Sequence, residues 1–233
     1  RRKAPSEWTV LGQSIPRPDI PALVTGEFEF VQNVKLPGML HGRVVRPPSP
    51  EATLASIDES SIADISGIVK VVVRRNFVGV VAEKPWQAWQ AAERLKVEWT
   101  PGPPLPPQSG HYDQLRVQPS SDALLTDSGD VDQQLAGVAT VVEATYSHPY
   151  QMHGSLGSSC AVADIRDGEG TLYSATQGVW YQKYTAGMLL GIAPEKLQVV
   201  YRRGSGCYGV NGADAVTFDA AILSQQVNRP VRV

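Results

Sequence analysis

Apolar and polar positions in this chain alternate in short β-type runs, broken by helical stretches and by turn formers. Residues 23–46 alternate and carry Phe28, Phe30, Val31 and Val34, followed by a run at 39–45. A period of two predicts strands with one buried face. Pro37-Gly38 punctuates that run as a turn, and Pro47-Pro48-Ser49-Pro50 ends it. Residues 52–57 form a short apolar run, and residues 58–63 have the capping chemistry of a brief helix. Residues 67–73 and 77–82 predict a pair of strands joined by Arg74-Arg75-Asn76. Residues 84–95 open with Pro85 and are rich in alanine, which predicts a helix. Trp86 and Trp89 lie three apart on it and read as a core or interface stripe rather than a ligand-stacking box. Residues 96–99 return as a strand.

Residues 101–127 begin with a proline run too dense for the interior of any element, and they read as a linker. Residues 1–22, punctuated by Pro5, Pro16, Pro18 and Pro21, read as an irregular lead-in. Beyond the linker the pattern predicts a short helix at 130–135 and a long β-branched strand at 138–146. A hairpin follows at 160–176, turning across Asp167-Gly168-Glu169-Gly170. Then come a helix at 180–190 closed by Gly191, a strand at 196–201, a helix at 213–223 and a starting strand at 229–233.

Composition narrows the function. A net charge of -2 over 233 residues gives no basis for nucleic-acid binding. Arg1-Arg2, Arg74-Arg75 and Arg202-Arg203 are scattered and read as solvated strand ends. No window reaches the roughly 18 unbroken apolar residues of a membrane span. The two cysteines, Cys160 and Cys207, make no disulfide framework, and the four histidines have no zinc-like spacing, so no protein-ligated metal is expected.

The most informative stretch is 198–213. A β-branched run feeds a loop with four glycines in nine positions, Gly204, Gly206, Gly209 and Gly212, and the loop opens into a helix. Strand, glycine loop and helix bring bare main-chain N–H groups close to a phosphate-bearing ligand. Gly204-x-Gly206-x-x-Gly209 also fits the dinucleotide fingerprint letter by letter. That reading wants a carboxylate about 20 positions on to hold a ribose, and Asn228-Arg229-Pro230 supplies none.

Thr176-Gln177, residues 190–199 (Leu-Gly-Ile-Ala-Pro-Glu-Lys-Leu-Gln-Val), the glycine loop, Ala220-Ala221-Ile222-Leu223 and Arg229-Pro230-Val231-Arg232 form an ordered set. In that order they resemble the molybdenum-cofactor-binding subunit of the xanthine dehydrogenase and aldehyde oxidase family. Residues 36–46, 65–72 and 76–82 resemble the a/b hammerhead domain of the same subunits. The likeness covers residues 23–233. The Gly-Ser-Gly-Cys-Tyr-Gly loop is most similar to the bacterial isoquinoline oxidoreductase, nicotinate dehydrogenase and membrane-linked aldehyde dehydrogenase types.

The resemblance implies an α+β fold: an a/b hammerhead domain at 23–100, then the first part of a molybdenum-cofactor-binding α+β domain at 128–233. It implies a molybdenum-dependent oxidoreductase that oxidises an aldehyde or an N-heteroaromatic compound with water-derived oxygen. The implied cofactor is molybdopterin in its cytosine dinucleotide form. The implied partners are a 2Fe-2S subunit and a cytochrome c acceptor, in the periplasm, with the cytoplasm as the alternative. Gln177 matches the glutamine beside the molybdenum ligands, and Gly204, Ser205, Gly206, Cys207, Tyr208 and Gly209 match the loop against the metal.

Some positions depart from the pattern. Cys207 stands at the family's phenylalanine and Tyr208 at its next glycine, and Cys207 reads either as a small packing residue or as a reactive thiol. Residues 153–158 align with a stretch in which the family carries a glutamate where this chain has Gly157. His153 reads as structural rather than as a proton shuttle. The family's glutamate base lies downstream of Val233, so the chain is expected to be a front portion, inactive and without cofactor on its own. Two other readings stay open: a non-enzymatic α+β interaction module of the same fold, and a dinucleotide binder.

Overall fold

The computed structural model describes residues 2–105, 107–151, 154, 157–208 and 215–233. Helix α1 (Ile20–Thr25) precedes β1 (Leu40–Val45), β2 (Thr53–Asp58), β3 (Ile68–Arg74), β4 (Phe77–Ala82), α2 (Pro85–Arg94) and β5 (Lys96–Thr100). Helices α3 (His111–Val117) and α4 (Val131–Ala136) follow, then β6 (Ala161–Arg166), β7 (Glu169–Ser174), α5 (Val179–Leu190), β8 (Leu197–Tyr201), α6 (Ala215–Val227) and β9 (Val231–Arg232). The architecture is mixed helix and sheet.

Seven strands form one sheet in the order β3-β4-β1-β9-β6-β7-β8, and β2 pairs with β5 in a second. The main sheet takes strands from both sides of the proline-rich segment. β9 joins them: it runs parallel to β1 (His41 opposite Arg232) and antiparallel to β6 (Val162 opposite Arg232). β6 and β7 form the expected hairpin. Its turn is Asp167-Gly168, both at positive φ, as a tight two-residue hairpin requires.

Alternation along β4 divides the core. Val81 faces a cluster built with Leu172, Ala220 and Leu223, whereas Val78 and Val80 face a second cluster with Ile62, Ala91 and Leu95. Helix α6 closes the first face. Leu223 sits over two glycines: a Cβ on Gly42 would lie 2.5 Å, and one on Gly79 2.9 Å, from its methyl carbons. Ser224 fastens α6 to the sheet, accepting from Ile165 N–H at 2.8 Å and donating to Arg229 C=O at 2.7 Å. Farther up the helix, the buried Asp219 pairs with Arg46, which follows β1.

Three expectations are corrected. Residues 138–146 form no strand; they pair with neither sheet, and Val142 and Tyr146 are 86% and 91% exposed. A β-branched run without a partner strand gains nothing from its extended form. Residues 28–34 turn through a short 3₁₀ segment (Val31–Asn33) instead of continuing a strand. Of the core and interface readings of Trp86 and Trp89, the core one fails: they stack on each other at 4.6 Å outside the core, and Ala88 and Ala91 are the residues that α2 buries. Helix α3 also falls inside the stretch read as linker.

Candidate functional site

β7 and β8 are parallel and end level, with Ser174 opposite Tyr201. Ligands of open sheets bind outside the carboxyl ends of such strands, where the connecting loops diverge. Arg202 N–H extends the ladder one step by donating to Ser174 C=O at 2.9 Å. After β7 the chain turns at once into α5. Ser174 Oγ accepts from Thr176 N–H at 3.2 Å and Thr176 Oγ1 from Gly178 N–H at 2.9 Å, so Gln177 sits on a turn held by two hydroxyls.

The two loops meet through side chains. Gln177 Nε2 donates to Cys207 Sγ at 2.7 Å. Gln177 is exposed, and residues 204–207 are half-buried, so the pair lies at an accessible edge. The structure therefore brings Gln177, Gly204, Ser205, Gly206, Cys207 and Tyr208 together. Gly209 and His153 lie outside the described residues.

The start of the glycine loop is strapped from the N-terminal side. Arg203 pairs with Asp19 at 3.0 Å and lies 5.4 Å from the Phe28 ring, while its C=O accepts from Val31 N–H at 2.9 Å. Arg202 pairs with Glu29 at 3.2 Å. The hydrogen bond from Arg17, with help from Arg203, holds the Asp19 carboxyl down at about 2. Arg202-Arg203 are thus anchors rather than solvated strand ends, and residues 19–31 are part of the loop's support. Long-range charge pairing of this kind leaves no periodic signal in a sequence.

Gly157 also acquires a role. Ser205 Oγ reaches both the Gly157 and the Ser158 carbonyls, at 3.0 and 3.2 Å. A Cβ on Gly157 would stand 2.3 Å from Ser205 Cβ. Glycine at this position lets the 157–158 segment close onto the loop, which any larger residue would push away.

Among the described residues, no carbonyl accepts from the N–H of Gly204, Ser205 or Cys207. Gly206, at φ 121°, turns the chain between them. Ser174 Oγ and Thr217 Oγ1 are buried and 2.7 Å apart, and among the described residues the amide of fully buried Gln182 finds no partner for either its nitrogen or its oxygen. Unpaired buried amides are uncommon and mark a place where a further polar group fits.

Comparison with known proteins gives the family of the chain. The family described as molybdopterin cofactor-binding domain matches residues 117–233, half of the chain. The chain belongs to this family. A nicotinate dehydrogenase subunit of Pseudomonas putida is 42% identical over 99% of the chain, which spans 20% of that relative. Among solved structures, aldehyde oxidoreductase from Desulfovibrio gigas superposes with a TM-score of 0.74 at 19% identity, over 93% of this chain and 29% of that one. Quinoline 2-oxidoreductase from Pseudomonas putida 86 gives 0.70 at 21% identity, over 95% and 34%. These likenesses show a shared fold. The chain spans about a third or less of the proteins it matches.

The residues present fit a molybdopterin. Its pterin and oxo groups are hydrogen-bond acceptors and its phosphate is anionic. The edge offers a carboxamide N–H₂, a thiol and main-chain N–H groups, and no carboxylate among residues 202–208.

Proposed function

We propose that this chain is a cofactor-contacting portion of a molybdenum hydroxylase catalytic subunit. When bound, the molybdopterin supplies the oxidation itself, placing a water-derived oxygen on an aldehyde or N-heteroaromatic carbon and drawing off two electrons. The chain's own part is positional. Gln177 offers its amide N–H₂ to an oxo or pterin acceptor, and the main chain of residues 204–207 lies alongside without a Cβ in the way at Gly204 and Gly206. The Ser205 hydroxyl and the Arg203–Asp19 pair keep that main chain in place. Tyr208, 67% exposed, and Cys207 shape the side from which a substrate approaches.

The cytosine dinucleotide form of the cofactor, a 2Fe-2S partner subunit, a cytochrome c acceptor and a periplasmic setting belong to the same proposal. So do the assignment of residues 23–100 to an a/b hammerhead domain and of the catalytic base to residues beyond Val233. The 42% identity to the nicotinate dehydrogenase subunit favours an N-heteroaromatic substrate over an aldehyde.

The observation that carries this reading is the contact of Gln177 with Cys207 across the ends of two parallel strands. Metal analysis and fluorescence of the released pterin test it. The natural subunit should purify with stoichiometric molybdenum and pterin, and the 233-residue chain with neither. A natural subunit lacking both would refute the reading, and so would one that keeps both after residues 204–208 are replaced by alanines.

A further inference from the structure

A second concave region lies where β1, β9 and the approach to β6 meet. His41 and Arg43, two apart on β1, project from the same face. Arg232 on β9 is the register partner of His41. With Ser158, Ser159 and Cys160 they line a cavity of about 170 Å³ that no acidic side chain enters.

Its charge is unbalanced. Seven arginines of the described residues are matched to carboxylates: Arg17, Arg46, Arg94, Arg116, Arg166, Arg202 and Arg203. Neither Arg43 nor Arg232 has such a partner among the described residues, although the two share one cavity. Arg232 spends Nη1 on the Gln32 carbonyl at 2.7 Å, which fixes the guanidinium and leaves other N–H groups to donate. The other titratable side chains that line the cavity bring no negative charge; Val233, the last residue of the 233-residue chain, lines it as well. Burial, aided by Arg232, holds His41 below the usual imidazole range, so it is neutral with one N–H to give. Burial pushes the Cys160 thiol up, so it stays protonated.

We propose that this cavity binds a small oxyanion, a phosphate or carboxylate group gripped by the guanidinium groups of Arg43 and Arg232 with His41 beside them. Planar guanidinium forks suit the paired oxygens of both groups. The cavity backs onto the glycine loop, because the Ser158 carbonyl that accepts from Ser205 belongs to the same stretch that lines it. An anion held here is therefore placed to steady the 157–160 segment behind the loop. This anion site stands independently of the molybdopterin reading, and its test needs no cofactor.

The test is titration of the 233-residue chain carrying a C-terminal amide, which removes the terminal carboxylate from the cavity, with sodium phosphate and, separately, sodium benzoate, against sodium chloride at matched ionic strength. Thermal unfolding and amide chemical shifts are the readouts. Saturable stabilisation is expected, with shifts at His41, Gly42 and Val233 that locate the site without any substitution. Arg43→Gln should weaken the apparent affinity by about tenfold or more, Arg43→Lys by less, and Arg75→Gln not at all. Saturation by phosphate alone assigns a phosphoryl ligand, by benzoate alone a carboxylate, and by both the shared chemistry. The proposal fails if neither anion saturates, if the shifts fall elsewhere, or if Arg43→Gln leaves the affinity unchanged.

Discussion

Gln177 and Cys207 stand 30 residues apart in sequence and meet at 2.7 Å, amide nitrogen to sulfur, where β7 and β8 end side by side. The meeting follows from the parallel pairing of those strands. Because Ser174 is level with Tyr201, the turn after one strand and the glycine loop after the other must start together.

The first prediction concerns that contact. Gln177 is exposed, so Gln177→Ala should change the stability of the chain by no more than about 0.5 kcal/mol. In the natural subunit the same change should cut molybdenum retention by about tenfold, corresponding to about 1.4 kcal/mol of lost binding. Denaturant unfolding and metal analysis read the two effects separately. A large loss of stability with undiminished metal would make Gln177 a folding residue only.

Gly157 and Ser205 should be coupled. Gly157→Ala places a Cβ 2.3 Å from Ser205 Cβ and should cost about 1–3 kcal/mol, as overpacking does. Ser205→Gly removes the opposing atom and should recover part of that cost. A double-mutant cycle measures the coupling. Additive effects would mean that the two residues do not touch.

Ser224→Ala should destabilise the fold by about 1–3 kcal/mol, since it leaves the buried Ile165 N–H without its acceptor. Ser224→Thr keeps the hydroxyl and tests whether hydrogen bonding, rather than volume, is what matters. Equal stability of the alanine variant and the parent in urea would contradict this assignment.

Asp219 gives the chain a pH dependence of definite sign. Burial pushes its carboxyl up to about 6, against the pull of Arg46. An acid that holds its proton more tightly when folded stabilises the fold below its unfolded value of 3.8, and that contribution is lost as pH rises to about 6. The loss is at most roughly 3 kcal/mol. Asp219→Asn should therefore flatten stability between pH 4 and pH 7. Arg46→Ala, by removing the cation beside a buried carboxyl, should extend the decline above pH 6. Parallel curves for the parent and Asp219→Asn would refute this.

Local chemistry made much of this legible in advance. Period-two runs located β1, β3, β4 and β6–β8, and alanine-rich or glycine-closed stretches located α2 and α5, because each is specified by its own residues. The glycine loop and Thr176-Gln177 were visible as motifs. What failed was non-local. Residues 138–146 have the composition of a strand, but composition does not supply a neighbour to pair with. Trp86 and Trp89 read as a core or interface stripe from their spacing of three, yet it is Ala88 and Ala91 that the helix buries. Arg202, Arg203 and Gly157 support the loop through partners 48 or more positions away, and no pattern in the chain announces those.

The central claim is that Gln177 and the main chain of residues 204–207 form one side of a molybdopterin cradle. The most direct measurement is a crystal structure of the cofactor-loaded natural subunit. The account predicts the Gln177 amide and at least one N–H of residues 204–207 within about 3.2 Å of cofactor atoms. A cofactor bound elsewhere, touching neither, would contradict it.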